Sequence, residues 1–245
     1  MNVKLLNPDD AQNLIKNWGS VAAVCYATET STPEKIGKHC MNSGHFSGSR
    51  GDYIKFLITD VPRFTVDQAV RHEIGTFKNV QSFRYVDKDS FFYEVPIEIT
   101  DSDEMLDKYV AHMNATGALY EEIQNYIIGK GKSKERANEQ ARYVLPMATH
   151  TSFVMGFTIE ALIHFMNMRL CVRAEDTIRH MAKLMKEETL KVLPELSNKL
   201  VPNCEAMCWC PEGGKSCHAY PTKKELNEIL AKAKGVINER ENYPV

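Results

Sequence analysis

The sequence predicts an α+β protein with an antiparallel or mixed sheet core and a large helical portion. Before Ser102, short apolar runs bounded by turn residues alternate with helix signals. After Ser102, apolar residues recur at three- and four-residue spacing, which is typical of amphipathic helices. No linker rich in proline, glycine or serine divides the two parts. We therefore expect one domain over residues 1–200, followed by a cysteine-rich segment and a C-terminal helix over 201–245.

The composition is ordinary for a soluble globular protein, with 43% apolar and 25% charged residues. A net charge of −2 offers no general attraction to nucleic acid or anionic lipid. No apolar run approaches the roughly 20 residues of a membrane helix, and the N-terminus lacks a signal-peptide core. We therefore expect a cytoplasmic protein with no nucleic-acid or membrane partner. The odd number of cysteines, seven, favours reduced thiols over a disulfide framework.

The first elements are predicted from local signals. A strand and a short helix precede an apolar run at 21–26, and Pro33 suits the first turn of the next helix. Residues 42–51 form a loop rich in glycine and hydroxyls, which is either a phosphate-binding loop or an ordinary turn. The run at 53–59 reads as a buried strand. A helix over Pro62–Ile74 follows.

Basic and amide side chains are concentrated between residues 68 and 85. If Pro62–Ile74 is helical, Gln68, Arg71 and His72 share one face, because they are three and four positions apart. Ser82 and Arg84 would lie on the same side of an extended segment. The planar guanidinium of arginine can donate two parallel hydrogen bonds to a phosphate group. The alternative is a helix with solvated charges followed by a strand.

The remaining elements are one strand and a series of helices. Residues 91–96 read as a strand closed by proline, and helices begin at Ser102. Further helices are predicted over 135–145, 151–168, 175–192 and 222–238.

Four thiols lie within a short stretch near the C-terminus, which indicates either a tetrahedral zinc site or a loop of free thiols: Cys204, Cys208, Cys210 and Cys217.

Residues 71–85 resemble the signature of the flavin-dependent thymidylate synthases, which is Arg-His-Arg, seven residues and Ser, usually continued as Ser-x-Arg-Tyr. Here Arg71-His72-Glu73 is followed by eight residues and Ser82-Phe83-Arg84-Tyr85. Three further stretches resemble the family: Gly44-His45-x-Ser47, Ala141-Arg142-x-x-Leu-Pro146, and His164-Phe-x-x-x-Arg169. This sequence departs from the family pattern at Glu73, Val80 and His164.

The resemblance implies a fold, an activity and an assembly. The family converts dUMP to dTMP, using methylenetetrahydrofolate as the carbon donor and NADPH as the reductant through FAD. Flavin and folate carry the difficult steps, so the protein positions and polarises the reactants. The family also implies a homotetramer with sites built between subunits. Two alternatives remain: a related enzyme that adds a hydroxymethyl group to dUMP, and a non-catalytic regulator that binds nucleotide or flavin.

The resemblance also assigns roles to residues. Arg169 is the catalytic candidate, because a donor near the pyrimidine carbonyls stabilises developing negative charge. Taken alone, Arg142 and Arg169 would be ordinary helix charges. The expected dUMP ligands are Gln68, Arg71, Ser82, Arg84, Arg142 and Arg169. The expected FAD ligands are His45, Ser47, Arg71, His72 and Ile74.

Overall fold

The computed structural model describes residues 1–25, 27, 31–86 and 92–241, with the backbone alone for 234–241. It confirms the α+β class. The strands are β1 (Asn2–Leu5), β2 (Ile54–Pro62), β3 (Thr76–Val80) and β4 (His150–Phe157). The helices are α1 (Pro8–Val24), α2 (Pro33–Asn42), α3 (Arg63–Ala69), α4 (Asp103–Gly129), α5 (Lys134–Ala141), α6 (Ile159–Arg169), α7 (Asp176–Leu190), α8 (Asn203–Met207) and α9 (Lys223–Glu241).

The chain forms two compact units. The sheet unit comprises Met1–Leu14 and Arg50–Thr158, and the helical unit comprises Ile15–Ser49 and Ile159–Val245. In the part of the chain that the structure describes, no helix is both long enough and apolar enough to cross a membrane.

The sheet unit is built on four antiparallel strands in the order β1-β2-β4-β3. Alternate residues of β2 and β4 face each other across the two central strands and are buried, because side chains one residue apart point to opposite faces. The resulting pairs are the core of this unit: Ile54 with Phe157, Phe56 with Met155, and Ile58 with Phe153.

The prediction of a helix over 151–168 was wrong in its first half. Residues His150–Phe157 form β4, which pairs with β2 on one side and β3 on the other. Gly156 allows the close approach of Phe77, since a Cβ there would lie 2.0 Å from the Phe77 ring. The helix begins only at Ile159. Residues 151, 153 and 155 are buried and residues 150, 152 and 154 are half-buried, which is the alternation typical of a strand. The number of apolar residues in this stretch did not by itself distinguish a strand from a helix.

The predicted helix over Pro62–Ile74 is shorter than expected. α3 ends at Ala69, so Gln68 is helical whereas Arg71 and His72 follow the helix in a turn. The carbonyl of His72 accepts hydrogen bonds from Thr76 Oγ1 and Lys78 Nζ. These bonds, together with the left-handed Gly75 (φ +68°), turn the chain into β3.

Three other boundaries differ from the predictions. The apolar run at 21–26 does not form a separate element, because α1 continues to Val24; residue 26 lies outside the described residues. Ser82 and Arg84 lie in a turn rather than an extended segment, with Tyr85 N donating to the Ser82 carbonyl at 3.2 Å. The predicted strand at 91–96 is reduced to one bridge, between Tyr93 and Thr149, and residue 91 is outside the described residues.

The helical unit packs α1 against α2 at unusually short range. A Cβ at Gly19 would lie 1.7 Å from the Pro33 carbonyl oxygen, and one at Gly37 would lie 2.0 Å from that of Ile15. Only glycine permits such backbone contact. The predicted helices at 175–192 and 222–238 are confirmed as α7 and α9. Large buried side chains of this unit come from α1, α6 and α7: Trp18, Ile159, Leu162, Phe165, Met181 and Met185.

Candidate active site

The sheet unit contains a cleft of about 550 Å³ that brings two of the expected dUMP ligands together. Ser82 lines it from the turn after β3, and Arg142 lines it from the end of α5. Arg63, the first residue of α3, is a third polar lining residue. Among the described residues that line it, two are arginines and none is a carboxylate, so this part of the cleft suits an anion.

Backbone hydrogen bonds fix the three segments that form this cleft. Arg63 N donates to the Thr149 carbonyl at 3.0 Å, which holds the start of α3 against the chain entering β4. Gln81 N donates to the Ser152 carbonyl at 2.9 Å, which extends the β3–β4 pairing up to Ser82. The cleft is therefore built on the sheet rather than on free loops, and its polar groups are preorganised.

Arg142 follows α5 in a short 3₁₀ turn, and Leu145 N donates to its carbonyl at 3.2 Å. Its side chain is exposed, and no partner for its guanidinium lies in the part of the chain that the structure describes. Pro146 stops the turn and belongs to the cleft wall. Arg142 is thus available to an incoming anion.

Sequence reasoning missed Arg63. Its guanidinium lies 3.7 Å from Asp67 and 5.9 Å from the centre of the Phe83 ring. A cation in the first turn of a helix opposes the helix dipole, which favours anions there. That unfavourable placement, directly after Pro62, was the available signal of a functional arginine.

Arg84 follows the cleft residues Ser82 and Phe83 in sequence, but its side chain pairs with carboxylates of α5. Its guanidinium lies 2.9 Å from Glu135 and 3.6 Å from Glu139, both on α5. The Ser82 hydroxyl accepts a hydrogen bond from Arg84 N at 3.3 Å, which shapes the turn. Arg84 therefore needs to change partners before it can bind phosphate.

Gln68 and three of the predicted flavin ligands lie at or just after the end of α3, and none of them lines the cleft. In the turn that follows the helix, Arg71 is exposed, His72 is half-buried, and Ile74 is 94% exposed. The Lys78 ammonium holds the His72 carbonyl, which anchors this turn to β3. Burial lowers the pKa of Lys78, and the nearby carboxylate of Glu73 partly opposes that shift.

The helical unit holds the other predicted ligands. His45 and Ser47 are exposed in the loop after α2, where Gly44 adopts φ +73° and the His45 carbonyl accepts from Trp18 Nε1 at 3.2 Å. Arg169 ends α6 and is half-buried. Their side chains are presented by separate elements, a loop and a helix end.

The predicted metal ligands are only partly brought together. A second cavity, of about 120 Å³ in the helical unit, is lined by Cys204, Cys210 and Cys217 and also by Cys171. Cys208 does not line it. Among the described residues, no three His, Cys, Asp or Glu side chains are already arranged to hold a metal ion.

Comparison with known proteins identifies the family. The profile of the family described as "Thymidylate synthase complementing protein" matches residues 4–195, which include the whole cleft. The flavin-dependent thymidylate synthase of Nitratidesulfovibrio vulgaris is 35% identical over 187 residues, 76% of each chain. The chain belongs to the flavin-dependent thymidylate synthase family. The family member from Clostridium tetani is 32% identical and covers 92% of this chain and 97% of its own.

Solved structures confirm the fold of this family member. The Helicobacter pylori flavin-dependent thymidylate synthase ThyX, complexed with FAD and dUMP, aligns with a TM-score of 0.57 over 82% of this chain and 100% of its own, at 16% identity. The UMP/dUMP methylase PolB from Streptomyces cacaoi aligns with a TM-score of 0.56 over 84% and 93%, at 20% identity. The cysteines from 204 to 217 lie beyond the residues that the family profile matches.

Proposed function

We propose that this protein methylates dUMP to dTMP, with FAD as the bound cofactor. The observation that carries the proposal is the cleft in which Ser82, Arg142 and Arg63 meet, with no carboxylate among its described lining residues, in a member of this family. A nucleotide monophosphate is a dianion at neutral pH, and convergent arginine and hydroxyl donors are its usual ligands. The nucleotide-binding and flavin-binding structures of the relative from Helicobacter pylori support the same choice of ligands.

The phosphate is bound by side chains that are already in place. Arg142 donates from the end of α5, Arg63 from the start of α3, and Ser82 contributes its hydroxyl. Each hydrogen bond to a charged group is worth about 1.5–3 kcal/mol. Arg169, at the end of α6, donates to the pyrimidine carbonyls and stabilises the negative charge that develops on the ring.

The residues around α3 and α2 fit a dinucleotide cofactor by their chemistry. Arg71 and His72 present donors for a diphosphate, Ile74 presents an exposed apolar surface for an aromatic ring, and His45 and Ser47 add donors from a glycine-containing loop. When bound, reduced FAD supplies the electrons that convert the transferred one-carbon unit into a methyl group. Methylenetetrahydrofolate donates that unit, NADPH is the source of electrons, and the assembly is a homotetramer.

The first test is product formation. Purified protein supplied with FAD, NADPH, methylenetetrahydrofolate and dUMP is expected to yield dTMP, identified by mass. Hydroxymethyl-dUMP would contradict methylation, and dUMP binding without NADPH oxidation would indicate a non-catalytic regulator. Mass measurement by light scattering tests the tetramer.

The second test addresses the phosphate site. Arg142→Met is expected to raise the Kd of dUMP about 10- to 100-fold and to leave binding of deoxyuridine, which lacks the phosphate, unchanged. Arg136→Met is the matched control, because Arg136 is an exposed arginine of α5 that pairs with Glu139 at 3.0 Å. Equal loss of dUMP and deoxyuridine binding in Arg142→Met would contradict a phosphate role.

A further inference from the structure

Three cysteines of the C-terminal segment and one from an earlier part of the chain line one small cavity in the helical unit. Cys171 lies between α6 and α7, Cys204 lies in α8, and Cys210 and Cys217 lie in the segment before α9. The cavity has a volume of about 120 Å³. All four are free thiols rather than disulfide partners. The fold therefore assembles a thiol cluster that no single stretch of sequence contains.

The four thiols that line this cavity differ in burial. Cys210 is buried, Cys171 and Cys204 are half-buried, and Cys217 is exposed. Cys208 differs from these four because it does not line the cavity, and its Sγ faces the Glu205 carbonyl at 3.9 Å. The structure thus separates Cys208 from the four cavity thiols.

The segment from Pro202 to Thr222 has little else to define its conformation. Cys210 is its one buried residue. Regular structure is limited to the five residues of α8, a 3₁₀ turn at Gly213–Lys215 and one bridge between Cys210 and Thr222. A segment without an apolar core usually depends on a disulfide or a structural metal. Free thiols in a cluster favour the metal.

An ion pair also lies beside the cluster. Arg173 and Glu212 both line the cavity and are 3.6 Å apart, and Arg173 donates to the Lys215 carbonyl at 3.3 Å. Arg173 also ties the segment at 212–215 to the connection that contains Cys171.

We propose that Cys171, Cys204, Cys210 and Cys217 bind one structural zinc ion. Four thiolates in a tetrahedral arrangement with no open position form a closed structural site. Each thiol loses its proton on binding, and no electron is transferred. The thiols must rotate toward the cavity that they share, because no three of them are yet arranged around a common point. Zinc would cross-link the segment from Pro202 to Thr222 to the end of α6.

Metal analysis of the full-length protein, purified without chelator, tests the site. About one zinc ion per chain is expected by elemental mass spectrometry. Cys171→Ser is the decisive variant, since Cys171 lies outside the C-terminal cysteine-rich segment; it is expected to lose most of the zinc. Cys208→Ser is the matched control and should retain it. Retention by Cys171→Ser, or equal loss by Cys208→Ser, would overturn the assignment.

A spectroscopic measurement on the unmodified chain covers the case in which a variant fails to fold. Exchange of zinc for Co²⁺ is expected to give thiolate-to-cobalt charge transfer and the intense ligand-field bands of a tetrahedral site. Absence of both zinc and a cobalt spectrum would overturn the proposal. Detection of iron together with acid-labile sulfide would also overturn the zinc assignment, because it would identify an iron–sulfur cluster instead. These readouts require no thymidylate synthase activity, so they fail or succeed independently of the proposed function.

Discussion

The guanidinium of Arg84 donates to the carboxylate of Glu135 at 2.9 Å, with Glu139 at 3.6 Å on the same helix. The arginine of the Ser82-Phe83-Arg84-Tyr85 motif is therefore held by carboxylates. Arg142, just after the same helix, lines the cleft. In the proposed nucleotide site, Arg84 exchanges these carboxylate partners for phosphate oxygens.

This exchange predicts that Glu135→Gln tightens dUMP binding. The salt bridge is partly exposed and worth about 0.2–1 kcal/mol, so a gain of up to about fivefold in affinity is expected. Isothermal titration calorimetry would measure it. Glu104→Gln is the control, because Glu104 pairs with Lys108 on the exposed face of α4. Weaker dUMP binding by Glu135→Gln would mean that Glu135 positions Arg84 in the complex.

Arg63→Met is expected to raise the KM for dUMP about tenfold with little change in kcat. The reason is that Arg63 lines the cleft and contributes to binding the phosphate, which is equally charged in the ground and transition states. The affinity of the variant should also fall less steeply with added salt. Steady-state kinetics at two ionic strengths would show both effects. Asp67→Asn, which keeps the arginine but removes its carboxylate partner, should by contrast lower this KM or leave it unchanged.

We expect the free energy of unfolding to depend on pH because of Lys78. Because burial lowers its pKa, the folded protein binds the proton of Lys78 less tightly than the unfolded chain. The unfavourable contribution of Lys78 to the free energy of unfolding is therefore complete at pH values below its pKa in the folded protein. The free energy of unfolding rises with pH from that pKa up to the ordinary value of 10.5. Denaturant unfolding at a series of pH values should show this rise in the wild type. Lys78→Arg, which stays charged, should lack it; an identical rise in both proteins would contradict the assignment.

Gly37→Ala is expected to destabilise the helical unit by about 1–3 kcal/mol or more. Its Cβ would lie 2.0 Å from the backbone oxygen of Ile15, and α1 and α2 would have to separate. Thermal unfolding would measure the loss. Gly129→Ala is the matched control, because a Cβ there meets nothing within 4 Å, and its stability should be unchanged or slightly higher. A Gly37→Ala protein as stable as the wild type would show that the two helices can move apart freely.

Some of the fold follows from local sequence alone. The apolar spacing of α4 and α7 predicted both helices, and Ser102 caps α4 by accepting from Met105 N at 3.4 Å. β2 was likewise predicted from its apolar run. These features depend on residues a few positions apart, so a single stretch of sequence determines them. The order of the family motifs similarly predicted the family.

The strand β4 depended on long-range pairing. The stretch from Thr151 to Phe157 is apolar enough to form either a buried helix or a buried strand. It forms a strand because its two edges hydrogen-bond to β2 and β3. The chain after α3 is instead shaped by local bonds, because Thr76 and Lys78, four and six residues on, donate to the His72 carbonyl. Tertiary hydrogen bonds therefore overrode the local helical spacing at β4, and short-range side-chain bonds did so after α3.

The sequence by itself determined the fold class, the family and the residue types that can bind a nucleotide. Only the tertiary structure decided which of those residues meet. It placed Arg63 beside Ser82 and Arg142, paired Arg84 with Glu135, and replaced Cys208 by Cys171 in the thiol cluster. Spacing along a chain specifies neighbours within one helix or strand, whereas contacts between elements arise from burial and hydrogen bonding across the whole unit.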